Sequence, residues 1–128
     1  MAITKEERNV LRKAQQGELD AVKMYNALAK TVKDPKDAET FRQLAAEEGR
    51  HAAVFKELTD EVLKPKSTKA VALPILYRVI GKKKLYPIIA KGEYDAVKKY
   101  EPVAARFPVV ESVKNDEQRH GDTVMALL

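Results

Sequence analysis

Two short phrases recur in this chain, and together they carry six side chains that can bind metal. Gly17 to Tyr25 reads GELDAVKMY, and Gly92 to Tyr100 reads GEYDAVKKY. Each is followed by a Glu-x-x-His: EEGRH from Glu47 to His51, and DEQRH from Asp116 to His120. The candidate ligands are Glu18, Glu48, His51, Glu93, Glu117 and His120. Four carboxylates and two imidazoles suit a pair of metal ions held inside a helical bundle. A Glu at i and a His at i+3 lie on one helical face a turn apart, so one oxygen and one nitrogen reach the same ion. Oxygen-rich ligation with one imidazole per ion favours iron or manganese over structural zinc. A single Glu-x-x-His is common by chance. Two copies, each preceded by Gly-Glu-x-Asp-Ala-Val-Lys-x-Tyr, are a specific signal.

Such ligands need long helices to position them. Thr4-x-x-Glu7 fits a capping box, so a first helix starts near Thr4 and runs to about Val32, where Asp34-Pro35 breaks it. A second starts near Asp37 and stops before Pro65. A lysine-rich connection follows, with a short apolar helix over about Lys69 to Ile80 that ends at Gly81. The third long helix covers about Lys83 to Phe107, with Pro87, Gly92 and Pro102 as candidate bends. Pro108 suits the start of the fourth, which runs to the C-terminus. Two short loops and one long middle connection make two antiparallel hairpins joined by a crossover. The expected fold is all-α, a ferritin-like four-helix bundle, with residues 1–128 as one domain.

Each helix carries an apolar stripe at steps of three and four. The stripes run Leu11, Ala14, Glu18, Ala21, Tyr25, Leu28, Val32; then Phe41, Leu44, Glu48, His51, Phe55, Leu58, Val62. The later pair run Tyr86, Ile89, Glu93, Ala96, Tyr100, Val103, Phe107; then Val110, Val113, Glu117, His120, Val124, Leu127. A glutamate sits in the middle of every one. An isolated buried carboxylate costs several kcal/mol or neutralises itself. Four at one level repel one another, and two histidines are not enough to offset them. Two metal ions are. Counted from the loops at roughly 1.5 Å per residue, Glu18 meets Glu48, and Glu93 meets Glu117, within about one or two turns.

Tyr25 and Tyr100 lie two turns beyond Glu18 and Glu93 on the same stripes. Their hydroxyls are read as hydrogen-bonding a ligand carboxylate. The alternatives are a redox-active phenol and a plain core tyrosine. Metal-bound histidine donates its free N–H to an acceptor, and Glu47 and Asp116 are the candidates, with Arg50 and Arg119 to hold them. Ordinary surface charge is the competing reading of those four.

The chain has no cysteine. Disulfides, thiolate zinc sites, iron–sulfur clusters and a four-cysteine iron site are excluded from it, so an electron donor must be another molecule. The first twenty residues are polar and charged, unlike a secretory signal, and the apolar run Ala70 to Ile80 is too short to span a bilayer. The cytoplasm is the expected location. Net charge is +5, with lysines concentrated at Lys64, Lys66 and Lys69 and at Lys82, Lys83 and Lys84. No aromatic or groove-reading pattern accompanies them, so they read as a solvated face and nucleic acid is not an expected partner.

These residues resemble the ferritin-like diiron carboxylate superfamily, and most closely its rubrerythrin-type members, from about Lys5 onward. Asp116-Glu117-Gln118-Arg119-His120 is also similar to the Asp-Glu-x-Arg-His phrase of soluble diiron oxygenases. The resemblance implies that Glu18 and His51 are terminal ligands of one iron, that Glu93 and His120 are those of the other, and that Glu48 and Glu117 bridge. It implies two iron ions, with manganese or a mixed pair as the alternative. It further implies peroxide or dioxygen as oxidant, an external donor such as a rubredoxin, and a homodimer. Two departures stand out. No rubredoxin domain is present in the sequence. Ala96 occupies the inward position one turn after Glu93, where many rubrerythrins carry a further glutamate.

The leading functional expectation is a diiron oxidoreductase that reduces hydrogen peroxide or dioxygen. The alternative is a ferroxidase that stores or delivers iron. A third reading, a module whose Ala70 to Lys84 segment lies on an anionic membrane, is disfavoured: that segment is expected to pack across the bundle.

Overall fold

A computed structural model describes residues 2–128. It contains five helices: α1 (Lys5–Thr31), α2 (Pro35–Thr59), α3 (Thr68–Ile80), α4 (Lys82–Ala104) and α5 (Pro108–Met125). α1 packs along α2 and α4 along α5, and the two hairpins come together as a ferritin-like all-α bundle. α3 lies in the crossover, mainly against α1.

Local chemistry sets the ends. Thr4 Oγ1 accepts from the Glu7 N–H at 3.1 Å and Glu7 Oε1 accepts from the Thr4 N–H at 2.8 Å, closing the capping box. α2 begins at Pro35, slightly before the expected Asp37. Asp34 is its cap, accepting from the Lys36 N–H at 2.8 Å. The proline that breaks the path of α1 thus opens α2, where its missing N–H costs nothing. α4 continues through Pro87, Gly92 and Pro102. Gly81, at φ 78°, makes the turn between α3 and α4; that backbone region is one glycine enters without strain.

One stripe position is corrected. Val62, expected inside, is 81% exposed. α2 stops at Thr59, and Asp60 takes the left-handed conformation at φ 55°. The chain therefore turns away before a further helical turn can carry Val62 inward. The segment that leaves is tied to α1 instead. Gln15 Nε2 donates to the Glu61 carbonyl, Gln16 Nε2 donates to the Lys64 carbonyl, and Asp20 accepts from the Lys66 N–H. Lys82 is also no part of a free basic face. It pairs at 3.1 Å with the buried Asp37, which accepts from the Tyr86 hydroxyl as well. Among the described residues, no helix is long and apolar enough to cross a membrane.

The core is two apolar layers with a polar layer between. In the first, Tyr25 stacks on Phe41, which meets Tyr86 edge-on at 5.3 Å. In the second, Phe55 meets Tyr100 at 5.2 Å. The two repeated tyrosines therefore put their rings in opposite layers.

α4 and α5 touch closely at Gly121. A Cβ there would lie 2.3 Å from Tyr94 Cε1. The Tyr94 hydroxyl donates to Asp122 at 2.7 Å, which fixes the ring across that glycine. Gly121→Ala is expected to destabilise the chain, because the ring must give up this position. In a Tyr94→Ala background the same change is expected to stabilise it by about 0.5–1 kcal/mol, the ordinary helical preference for alanine. Thermal melts of the four proteins check this; additive effects would refute it.

Candidate metal centre

The polar layer is built from one level of four helices. Glu18 comes from α1, Glu48 and His51 from α2, Glu93 from α4, and Glu117 and His120 from α5; all six are buried. Glu48 and Glu117 lie between the two rings. Glu48 Oε1 is 3.0 Å from His51 Nδ1 and 3.2 Å from His120 Nδ1. Glu117 Oε1 is 3.1 and 3.3 Å from the same two nitrogens. One donor atom from each of these four residues falls within 4.8 Å of all the others. Glu18 and Glu93 sit outside this square, each near one ring only. Glu18 Oε1 is 3.6 Å from His51 Nδ1 and Glu93 Oε2 is 3.5 Å from His120 Nδ1.

The pairings around the centre cross from one hairpin to the other. The Tyr25 hydroxyl on α1 donates to Glu93 Oε1 at 2.5 Å, and the Tyr100 hydroxyl on α4 donates to Glu18 Oε1 at 2.9 Å. His51 Nε2 meets Asp116 at 2.9 Å and His120 Nε2 meets Glu47 at 3.2 Å. Both imidazoles thus turn Nδ1 toward the centre and Nε2 toward a carboxylate on the other hairpin. Arg119 pairs with Glu47 and approaches Asp116 at 3.4 Å. Arg50, its counterpart in the repeat, has no ion-pair partner among the described residues.

Among the described residues, four buried atoms find no hydrogen-bond partner: Glu18 Oε2, Glu93 Oε2, Glu117 Oε1 and His120 Nδ1. Several of these lie close to a neighbour, but at angles that make no hydrogen bond. Glu117 Oε1 and His120 Nδ1 belong to the central square, and Glu93 Oε2 lies beside it. An unsatisfied buried polar atom costs about 1–3 kcal/mol, and a pair of cations bound among them would satisfy all four. The donor set therefore fits a di-metal group.

Without metal, protons must do that work. Burial pushes the Glu18 carboxyl well above the usual range, with the Glu48 charge adding to it. Burial likewise pushes Glu93 up to about 8, against the pull of its contact with His120. Burial works to lower both histidines, but contacts with the surrounding glutamates outweigh it. His51 is held far above its ordinary value, and His120 is pushed up to about 12. Burial would raise Glu48 too, yet its contacts with His120 and His51 hold it at about 2.

The rubrerythrin family profile matches residues 9–128. The chain belongs to the rubrerythrin family. Members carry a di-metal site, in keeping with the buried Glu and His cluster found here. Among curated relatives, reverse rubrerythrin-1 of Clostridium acetobutylicum is 30% identical over 118 residues. That match covers 88% of this chain but only 60% of the relative, so this rubrerythrin chain spans well under two thirds of the relative's length. No solved structure matches it.

The spacing pointed to the six side chains but not to the crossed partners. Period 3.6 tells which face a residue occupies, and says nothing of which hairpin its polar tip reaches. Two buried polar contributors also had no motif to betray them. Gln15 accepts from the Thr59 hydroxyl at 2.5 Å, and Asp37 is the partner of Tyr86 and Lys82.

Proposed function

We propose that this chain is a diiron oxidoreductase that reduces hydrogen peroxide, or dioxygen, with electrons from an external donor protein. The observation that carries the reading is the square of Glu48, His51, Glu117 and His120, flanked by Glu18 and Glu93, with four buried donor atoms of this set left without a hydrogen-bond partner among the described residues. Glu18 and His51 would hold one ion, Glu93 and His120 the other, and Glu48 and Glu117 would be shared between them. Iron is preferred because the set is rich in carboxylate and has one imidazole per ion. Bound there, such a pair would supply redox equivalents through its ferrous and ferric states.

The chain's residues prepare that chemistry. Reduction of peroxide to two waters takes two electrons and two protons, and with no cysteine to hold an iron–sulfur or four-cysteine iron site the reading draws those electrons from an external donor. Tyr25 fixes Glu93 Oε1 and leaves Oε2, the oxygen nearer His120, without a hydrogen-bond partner, while Tyr100 fixes Glu18 Oε1, the oxygen nearer His51, and leaves Oε2 without one. Burial and neighbouring carboxylates push both phenols well above their ordinary range, so they remain protonated donors. Asp116 and Glu47 accept from the outer histidine nitrogens and keep Nδ1 free for an ion.

Stopped-flow mixing of iron-loaded, reduced protein tests the proposal. Oxidation by peroxide is expected to be much faster than by dioxygen. The Tyr25→Phe/Tyr100→Phe variant is expected to keep its iron and lose rate. Failure of both oxidants to oxidise the protein would remove the enzyme reading. Mineral growth beyond two irons per chain would favour iron storage.

A further inference from the structure

A cleft of about 600 Å³ opens between α1 and α4, with α3 at one side. Its floor is the face of the polar layer that carries Glu18, Glu93, Tyr25 and Tyr100. Its walls are apolar, with Val10, Ala21 and Met24 from α1, Leu73 from α3, and Ile88 and Ala96 from α4. The exposed Lys13, Lys69 and Lys99 line it as well. Water occupies about 30 Å³ in the liquid, and hydrogen peroxide little more. The oxidant has no need of a space this large, which lies in the ordinary range for an organic ligand.

The glycines before Glu18 and Glu93 point the same way. Gly17 and Gly92 line the cleft from opposite walls. Both stand within helices, where glycine weakens the element. A Cβ at either would meet nothing within 4 Å, so nothing in this chain requires their smallness. The room they leave serves something from outside.

We propose that the cleft binds an amphipathic organic anion, a medium-chain carboxylate. Its apolar chain lies along the α1 and α4 walls, and its head meets Lys13, Lys69 and Lys99. Apolar walls select the chain, and three exposed cations, none of which forms an ion pair among the described residues, select the head. The inference rests on the di-metal reading only for what the ligand would face at the floor.

Calorimetric titration with decanoate tests it, on both metal-free and iron-loaded protein. Saturable binding is expected, with butyrate and decanol at least about 10-fold weaker. Gly17→Leu/Gly92→Leu fills the cleft with good helix formers. It is expected to weaken decanoate at least about 10-fold while helicity and iron content stay unchanged. Lys13→Glu/Lys69→Glu/Lys99→Glu is expected to weaken decanoate and leave decanol unchanged. No saturable heat from decanoate would overturn the proposal, as would unchanged affinity in the leucine variant. So would light scattering that shows a dimer which the same leucines dissociate, because a second copy would then be the occupant. Decanoate failing to bind protein that holds two irons removes this inference alone. Decanoate binding to protein that takes up no iron on loading removes the di-metal reading alone.

Discussion

Glu48→Gln protein is expected to retain less than one iron per chain after loading, against two for the unaltered chain. Glu48 stands between both histidines, 3.0 and 3.2 Å from their inner nitrogens, so its loss affects both ions at once. Asp116→Asn touches only the outer nitrogen of His51. It is expected to keep the stoichiometry and weaken affinity by about 10- to 100-fold. Metal-free stability separates the glutamates further. Glu48 is held at about 2 by its contacts with the histidines; removing its charge is expected to destabilise the metal-free fold by about 1–3 kcal/mol. Glu93 is pushed up to about 8 by burial. Glu93→Gln is therefore expected to stabilise the metal-free fold near about pH 8, since it removes a carboxyl whose ionised form burial disfavours, and to weaken metal binding. Metal analysis and thermal melts read both effects. Two tightly held irons in Glu48→Gln protein would refute the ligand assignment.

Stability of the metal-free chain is expected to fall as pH rises from about 5 to about 8, while the stabilisation conferred by metal grows. The sign follows from which state holds more protons. Glu18 and Glu93 are raised, so the folded chain keeps protons that the unfolded chain releases above the ordinary 4.5; for Glu93 this continues to about 8. His51 and His120 are raised too, and above the ordinary 6.5 they add to the same trend. Each such proton costs the fold about 1.4 kcal/mol per pH unit. Glu47 and Glu48 are lowered and act the opposite way, but only below their ordinary 4.5. Bound metal takes the place of the protons, so it binds more tightly as pH rises. Melting midpoints with and without iron, taken across this range, check it. A metal-free midpoint that climbs with pH would show that protons do not hold the empty centre together.

The bundle and the six central residues were legible because both are written in local spacing. Glu18 and Tyr25 share a face whatever the tertiary structure, as do Glu48 and His51. What escaped is set by contacts the spacing cannot encode. Val62 continues its stripe by count, and only the left-handed turn at Asp60 puts it outside. Asp37 reads as a first-turn acid, and only Tyr86 and Lys82, from the other hairpin, make it a buried one. Glu47 and Asp116 read equally well as plain surface charge in the sequence, because nothing in EEGRH or DEQRH says that each faces the opposite histidine. The α1–α4 cleft left a trace in Gly17 and Gly92, but a glycine in a repeated phrase does not announce which side it keeps open.

The Lys82–Asp37 pair has a counterpart at the other end of the molecule, where Arg106 meets Glu7. Glu7 precedes Gly17 by as many residues as Lys82 precedes Gly92, and Asp37 precedes Glu48 by as many as Arg106 precedes Glu117. The two pairs occupy the same places in the repeat with their signs exchanged. Two copies of the first hairpin would set Glu7 against Asp37, and two copies of the second would set Lys82 against Arg106. Only a first hairpin joined to a second places opposite charges at both ends. A ligand set with near-twofold symmetry would accept either half twice; these four charged residues give the halves distinct identities and forbid it.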